Sequence, residues 1–260
     1  MNTTQKVIKT FAICLSALII LSIINGVAHL VTSAFSFNND VNINETYNSD
    51  INNIKIDVGT TNMVIKYGDT FSITAENVSK EFKIKEEGNT LVIKEKNITI
   101  FGNKKSSHTT ITIPNDLNNL SIDIGAGKLE LSDITSNNFS LNQGAGKVVI
   151  TNLISNNTTI DGGAGELHIT SSNLQNLDLD LGAGKCYYNG ILLGNNKIDQ
   201  GVGELILDLY REDYTIKASK GLGSITINGE SYSKDVTVGE GINDIKIDGG
   251  IGSIIINTNK

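Results

Sequence analysis

Aspartates recur at one fixed phase of this chain. Asp57, Asp123, Asp161, Asp180, Asp199 and Asp248 each stand two residues ahead of a glycine, and Asn142 and Ser219 take the same place in their own segments. Three chemistries could use them or the glycines that follow. A row of carboxylates at Asp123, Asp161, Asp180, Asp199 and Asp248 offers oxygen ligands of the kind Ca²⁺ takes. Acidic groups along a groove are what polysaccharide-cutting β-helix enzymes use. The "GAGK" after Asp123 suggests a loop whose amides cradle a phosphate.

The phosphate chemistry fails first. A Walker loop needs Gly-x4-Gly-Lys-Ser/Thr, whereas Leu129 and Val148 follow the lysines here, and no copy supplies the third glycine of GxGxxG. No helical pattern follows whose N-terminus could hold an anion. No nucleotide and no cofactor is expected. The net charge of −7 also argues against nucleic acid, which needs a basic stripe.

The elements that position the aspartates are set by a repeat. Gly-x-Gly occurs at Gly125 and Gly127, Gly144 and Gly146, Gly163 and Gly165, Gly182 and Gly184, Gly201 and Gly203, Gly221 and Gly223, and Gly250 and Gly252. The first five copies are 19 residues apart, the next 20 and the last 29. Such a period means a solenoid. Apolar residues recur three before the first glycine (Ile122, Leu141, Ile160, Leu179, Ile198, Ala218, Ile247) and four after it (Leu129, Val148, Leu167, Cys186, Leu205, Ile225, Ile254). They recur again six after it and between the glycines, from Ala126 to Leu222 and Ile251. Within each strand they alternate with polar residues at period 2, and the phase slips by one across the glycines. The sequence therefore predicts an all-β parallel solenoid. Each coil is a strand, a glycine corner, a second strand and an Asn/Ser/Thr loop, with all the apolar columns buried as ladders when coils stack about 4.8 Å apart.

That stacking weighs on the acidic column. Like charges about 4.8 Å apart repel by about 1 kcal/mol in water. Lys197, Lys217 and Lys246, two residues earlier in their coils, share the face and offer a purely structural balance. The residues favour this reading over a cation, and no metal site is assigned. A second outward column runs Glu130, Val149, His168, Tyr187, Ile206, Thr226 and Ile255. Val149, His168, Tyr187, Ile206 and Ile255 form a candidate docking surface for protein or glycan; the plainer alternative is the strand preference of β-branched and aromatic residues.

Ahead of the solenoid, residues 11–31 form an apolar run long enough for a membrane helix, preceded by Lys6 and Lys9 and followed by no positive charge before Lys55. The expected organisation is a cytoplasmic stub and transmembrane anchor over 1–35, a polar spacer over 36–51, a first coil and irregular β cap over 52–117, and the Gly-x-Gly solenoid over 118–260. The N-terminus is then cytoplasmic and the β domain extracytoplasmic. A cleaved signal peptide with "TSA" at 32–34 is the alternative. "GSIIINTNK" closes the last coil without a recognisable cap, leaving an edge that could pair with another copy.

The combination of "INNIKIDVGTTNMVIKYGD", "GNTLVI", "TTITIPNDLNNLSIDIGAGKLEL" and the Gly-x-Gly coils resembles a bacterial putative-adhesin domain family of β-strand-repeat proteins, a domain of unknown function associated with envelope stress. The resemblance covers residues 52 to about 257. It implies a parallel β-solenoid on the cell envelope and carries no catalytic residues. His29, His108 and His168 have no nucleophile or carboxylate at a diagnostic spacing, and Cys14 and Cys186 make no metal motif. The reading is a non-enzymatic adhesion or envelope-interaction module with cell-wall glycan or an envelope protein as partner. The alternatives are a polysaccharide-acting β-helix enzyme and a structural or stress-sensing envelope component with a membrane partner.

Overall fold

The computed structural model describes residues 41–47, 50–95, 107–114 and 116–258. These residues are all β and contain no helix long and apolar enough to cross a membrane. The anchor expected at 11–31 lies outside them.

The strands are β1 (Val41–Thr46), β2 (Asn53–Tyr67), β3 (Ser72–Val78), β4 (Phe82–Glu87), β5 (Thr90–Glu95), β6 (His108–Ile113), β7 (Leu117–Gln175), β8 (Leu177–Leu193), β9 (Asn195–Leu209), β10 (Tyr214–Ile227), β11 (Glu230–Tyr232), β12 (Val236–Val238) and β13 (Asn243–Thr258). One sheet runs β1-β3-β6-β2-β7-β8-β9-β13-β10-β11, with β12 also on β10, β5 also on β2 and β4 on β5. From β2 to β10 the pairing is parallel and in register: Asp57 faces Asp123, Asp161 faces Asp180, and Asp180 faces Asp199.

Inside the stack the expected ladders form. Ile122, Leu141, Ile160, Leu179, Ile198 and Ile247 are all buried, as are Leu129, Val148, Leu167, Cys186, Leu205 and Ile254. Each such side chain contributes about 1.5–3 kcal/mol by leaving water. Cys186 lies here as a small apolar side chain, and burial pushes its thiol up to about 12. The glycine corners are tight because stacked backbones lie directly over one another. At Gly165 (φ 146°) an added Cβ would sit 1.9 Å from the Gly146 carbonyl oxygen, and at Gly203 (φ 142°) 1.7 Å from that of Gly184. Only glycine fits there.

Four expectations need correction. The Asn/Ser/Thr segment is not a loop, because β7 runs unbroken for 59 residues. A left-handed residue (Asp133, Asn152 or Ser171) makes a second corner in each of the three coils of β7, and a short third strand run follows it. Asparagines then make a third corner. Asn119 donates to Asn53 at 2.6 Å, Asn138 to Asn119 at 2.9 Å and Asn157 to Asn138 at 3.0 Å, an amide ladder climbing the stack. Secondly, the residue between the glycines is not a core column: Ala126, Ala145, Ala164, Ala183 and Val202 stay partly accessible, while Leu222 and Ile251 are 44% and 37% exposed. The close backbone approach at the corner leaves no room to bury them.

The third correction concerns coil order. β13 lies between β9 and β10, so the last strand of the sequence is not the end of the stack. The end is β10, whose outer edge is covered over Ile216–Ala218 by antiparallel β12 and over Ile225–Ile227 by antiparallel β11 of the same chain. The end of the stack expected to be open is therefore capped in part. Finally, the polar spacer is not wholly irregular: residues 41–46 of it are β1, paired antiparallel to β3. β3 to β6 form the irregular cover over the first coil, β5 on one half of β2 and β6 on the other.

Candidate functional site

Two outward rows face away from the core, one before the glycine corner and one after it. On the first face, the insertion of β13 brings Asp248 beside Asp199, and Ser219 lies beyond it. Asp161, Asp180, Asp199 and Asp248 thus form one uninterrupted row, which chain order alone would have interrupted with Ser219. The lysines move with them: Lys197 faces Lys246, and Lys246 faces Lys217.

Charge balance along this row is uneven. Lys197 pairs with Asp199, which raises the lysine's pKa chiefly through that hydrogen bond. Lys246 donates to Asp248 at 2.6 Å and Ser219 donates to it at 2.7 Å, and the two together hold the Asp248 carboxyl below the usual range. Asp180 has no lysine two residues earlier. Asp178 stands there instead. Partial burial first, and then a hydrogen bond and repulsion from Asp199, raise the Asp180 carboxyl. An open groove of about 550 Å³ runs along this face past Asn142, Asp161, Asp180, Asp199 and Asp248. Behind it Gln143 and Gln200 are buried, and their amide nitrogens find no hydrogen-bond partner among the described residues. An inward glutamine just before a glycine corner was the available sequence signal for them. Among the described residues no group of three or more His, Cys, Asp or Glu is placed to hold a metal ion.

On the second face, Tyr187 lies beside His168 on one side and Ile206 on the other, and Ile206 lies beside Ile255. The β13 insertion again matters, because it puts Ile255 rather than Thr226 next to Ile206. Val149, His168, Tyr187, Ile206 and Ile255 form a continuous half-exposed row. The His168 and Tyr187 rings are 6.2 Å apart and tilted by 51°. Burial first, then a hydrogen bond to Asp208, raises the Tyr187 hydroxyl pKa.

A flanking row on this face is paired across coils: Lys147 to Glu166 at 3.0 Å and Lys185 to Glu204 at 3.1 Å. The hydrogen bond from Lys147 is the main cause that lowers the Glu166 carboxyl. On the other flank the Thr151 and Thr170 hydroxyls are 3.3 Å apart. The apolar row is legible in the sequence, whereas both polar flanks become visible only when residues 19 apart are stacked.

The family model that matches this chain spans residues 51–247 and is described as Toastrack DUF4097. The chain belongs to the Toastrack family. The resemblance seen in the coil motifs is thereby confirmed over most of its extent. Among solved structures, this Toastrack chain is similar to a protein of Bacteroides fragilis described as a putative adhesin (18% identity, 85% of this chain and 98% of the other, TM-score 0.57). It is also similar to a putative adhesin of Parabacteroides merdae (14% identity, 86% and 98%, TM-score 0.41). A third is a putative lipid binding protein of Parabacteroides distasonis (16% identity, 86% and 98%, TM-score 0.40). At these identities the first similarity speaks for the fold alone. No curated protein matches the sequence.

Proposed function

We propose that this Toastrack chain is a non-catalytic extracytoplasmic interaction module, held at the cell membrane by residues 11–31 with its N-terminus in the cytoplasm. It engages cell-wall glycan or an envelope protein through the second outward face. The observation that carries this reading is the continuous row Val149, His168, Tyr187, Ile206 and Ile255, half-exposed and rimmed by paired charges and hydroxyls. An apolar strip inside a polar rim is the usual composition of a docking patch. The name of the Bacteroides fragilis structure, a putative adhesin, is consistent with such a role.

A second reading is favoured by one observation, the Asp180–Asp199 carboxylate pair on an open groove with the Asp180 pKa raised. A raised carboxyl beside an ionised one is how a glycan-cutting acid is made. The lysine pairs at Asp199 and Asp248 weigh against it, because they answer the row's charge from within the chain.

One experiment separates the readings. Purified protein is incubated with isolated cell-wall polymer, with and without chelator, and both co-sedimentation and released sugar are measured. The module reading expects binding, no sugar release and no effect of chelator. Sugar release would overturn it in favour of the enzyme, and loss of binding on chelation would return the Asp row to the status of a cation site.

A further inference from the structure

The path of the last strands creates a slot with an exchangeable occupant. β13 is an inner strand, paired in parallel with β9 from Asp244↔Asn195 to Thr258↔Leu209 and with β10 from Tyr214↔Asn243 to Ile227↔Ile256. β10 pairs with β13, β11 and β12, and no pairing joins it to β9. Among the described residues β13 alone therefore pairs with both edges, and it buries Ile245, Ile247, Ile254 and Ile256 between them.

The slot is selective. An added Cβ at Gly250 would lie 2.2 Å from the Gly201 carbonyl oxygen, and one at Gly252 would lie 1.7 Å from that of Gly203. An occupant must therefore place Gly-x-Gly at that register, with apolar residues three before and four after. Its polar ends are also matched: Asn257 donates to Asp208 at 2.7 Å, and the Thr258 amide donates to Asn228 at 2.8 Å. The segment 243–258 meets all of these conditions, and every copy of the chain carries it.

The tether is short, and its glycines fit where a side chain would not. Residues 239–242 lead from β12 into β13 with Gly239 at φ 83°. At Gly241 a Cβ would fall 1.9 Å from the Asp213 carbonyl carbon, and Ile242 is 84% exposed. A short hinge that reverses the chain between two strands is the usual place where identical chains exchange a terminal strand.

We infer that the slot between β9 and β10 accepts the β13 segment of a second copy of this chain, giving a reciprocal strand-swapped dimer. The test places cysteines at the paired positions, Asp208→Cys with Asn257→Cys, in the full chain with Cys14→Ser, so that no other accessible thiol can link two chains. The protein is partly unfolded at high concentration, returned to native conditions, oxidised and separated by size. The dimer fraction is expected to run as a covalent dimer on a non-reducing gel and the monomer fraction as a single chain. A dimer that falls to single chains without reductant, or no dimer at any concentration, would overturn the proposal.

A second readout spares the unsubstituted chain. A labelled synthetic peptide of residues 243–258, present in excess during the same cycle, is expected to be taken up and to suppress the dimer, while a scrambled peptide does neither. Failure of the native peptide to enter the refolded protein counts against the slot.

Discussion

The two outward faces are built from the same coils, yet they treat their unusual residues differently. On the first face, two of the four aspartates in the row, Asp199 and Asp248, meet lysines and a serine of the same chain, while Asp180 stands against another carboxylate. On the second, a row of apolar and aromatic side chains stays half-exposed while its charged neighbours pair with each other. The first face answers the charge of Asp199 and Asp248 from within the chain. The second keeps apolar surface in water, a cost that a partner would offset. This contrast leads us to assign recognition to the second face.

The glycine corner joins the faces, so breaking it should damage both. Gly184→Ala puts a methyl group 1.9 Å from the Gly165 carbonyl oxygen, at a φ of 145°. A loss of about 3 kcal/mol or more is expected by chemical denaturation, from overpacking and backbone strain together.

A sharper cut is the pair Tyr187→Ser with Ile206→Ser. Both side chains are only half-buried, so the melting temperature should fall little, whereas affinity for cell-wall polymer or envelope partner should drop about tenfold or more, as for a contact centre. Equal binding by this variant and the parent would remove the second face from the account.

Smaller effects distinguish the two ends of the Asp row. The lowered Asp248 carboxyl contributes stability that is present above the unfolded carboxylate pKa and lost as pH falls through the folded value. Asp248→Asn should therefore cost about 0.5 kcal/mol near neutrality, the scale of an exposed ion pair, and nothing in strong acid.

Asp180 has the opposite sign. Its folded pKa is raised, so ionising it penalises the fold at neutral pH, and the penalty disappears as pH falls through the folded value. Asp180→Asn should stabilise slightly, by less than about 0.5 kcal/mol, and only above the carboxylate range. Urea titrations of the two variants at neutral and acid pH test both signs.

Much of this was legible in the chain. Gly-x-Gly at a fixed period exposes both the corner and the stacking, because a Cβ there would strike the coil below. Alternation around it identifies the buried ladders and the two outward rows. The second corner was hidden because Asp133, Asn152 and Ser171 reach left-handed φ without a glycine to announce it. The coil order was hidden for a different reason. The 29-residue gap before Gly250 reads as an insertion, and no local pattern says that the strand after it returns to the inner position beside β9. Yet that return decides the site, since it places Asp248 beside Asp199 and Ile255 beside Ile206. Pairing between distant segments is set by the whole stack rather than by the residues at either end.

The most direct measurement puts the two faces in competition on one ligand. Parent protein, the Tyr187→Ser/Ile206→Ser variant and an Asp180→Asn/Asp199→Asn variant are titrated against the same isolated cell-wall polymer, with binding and released sugar followed together. The account predicts that the second-face variant loses binding, that the first-face variant keeps it, and that none of the three releases sugar. Binding that survives on the second-face variant and vanishes on the first-face variant would contradict it and move the site to the acidic row.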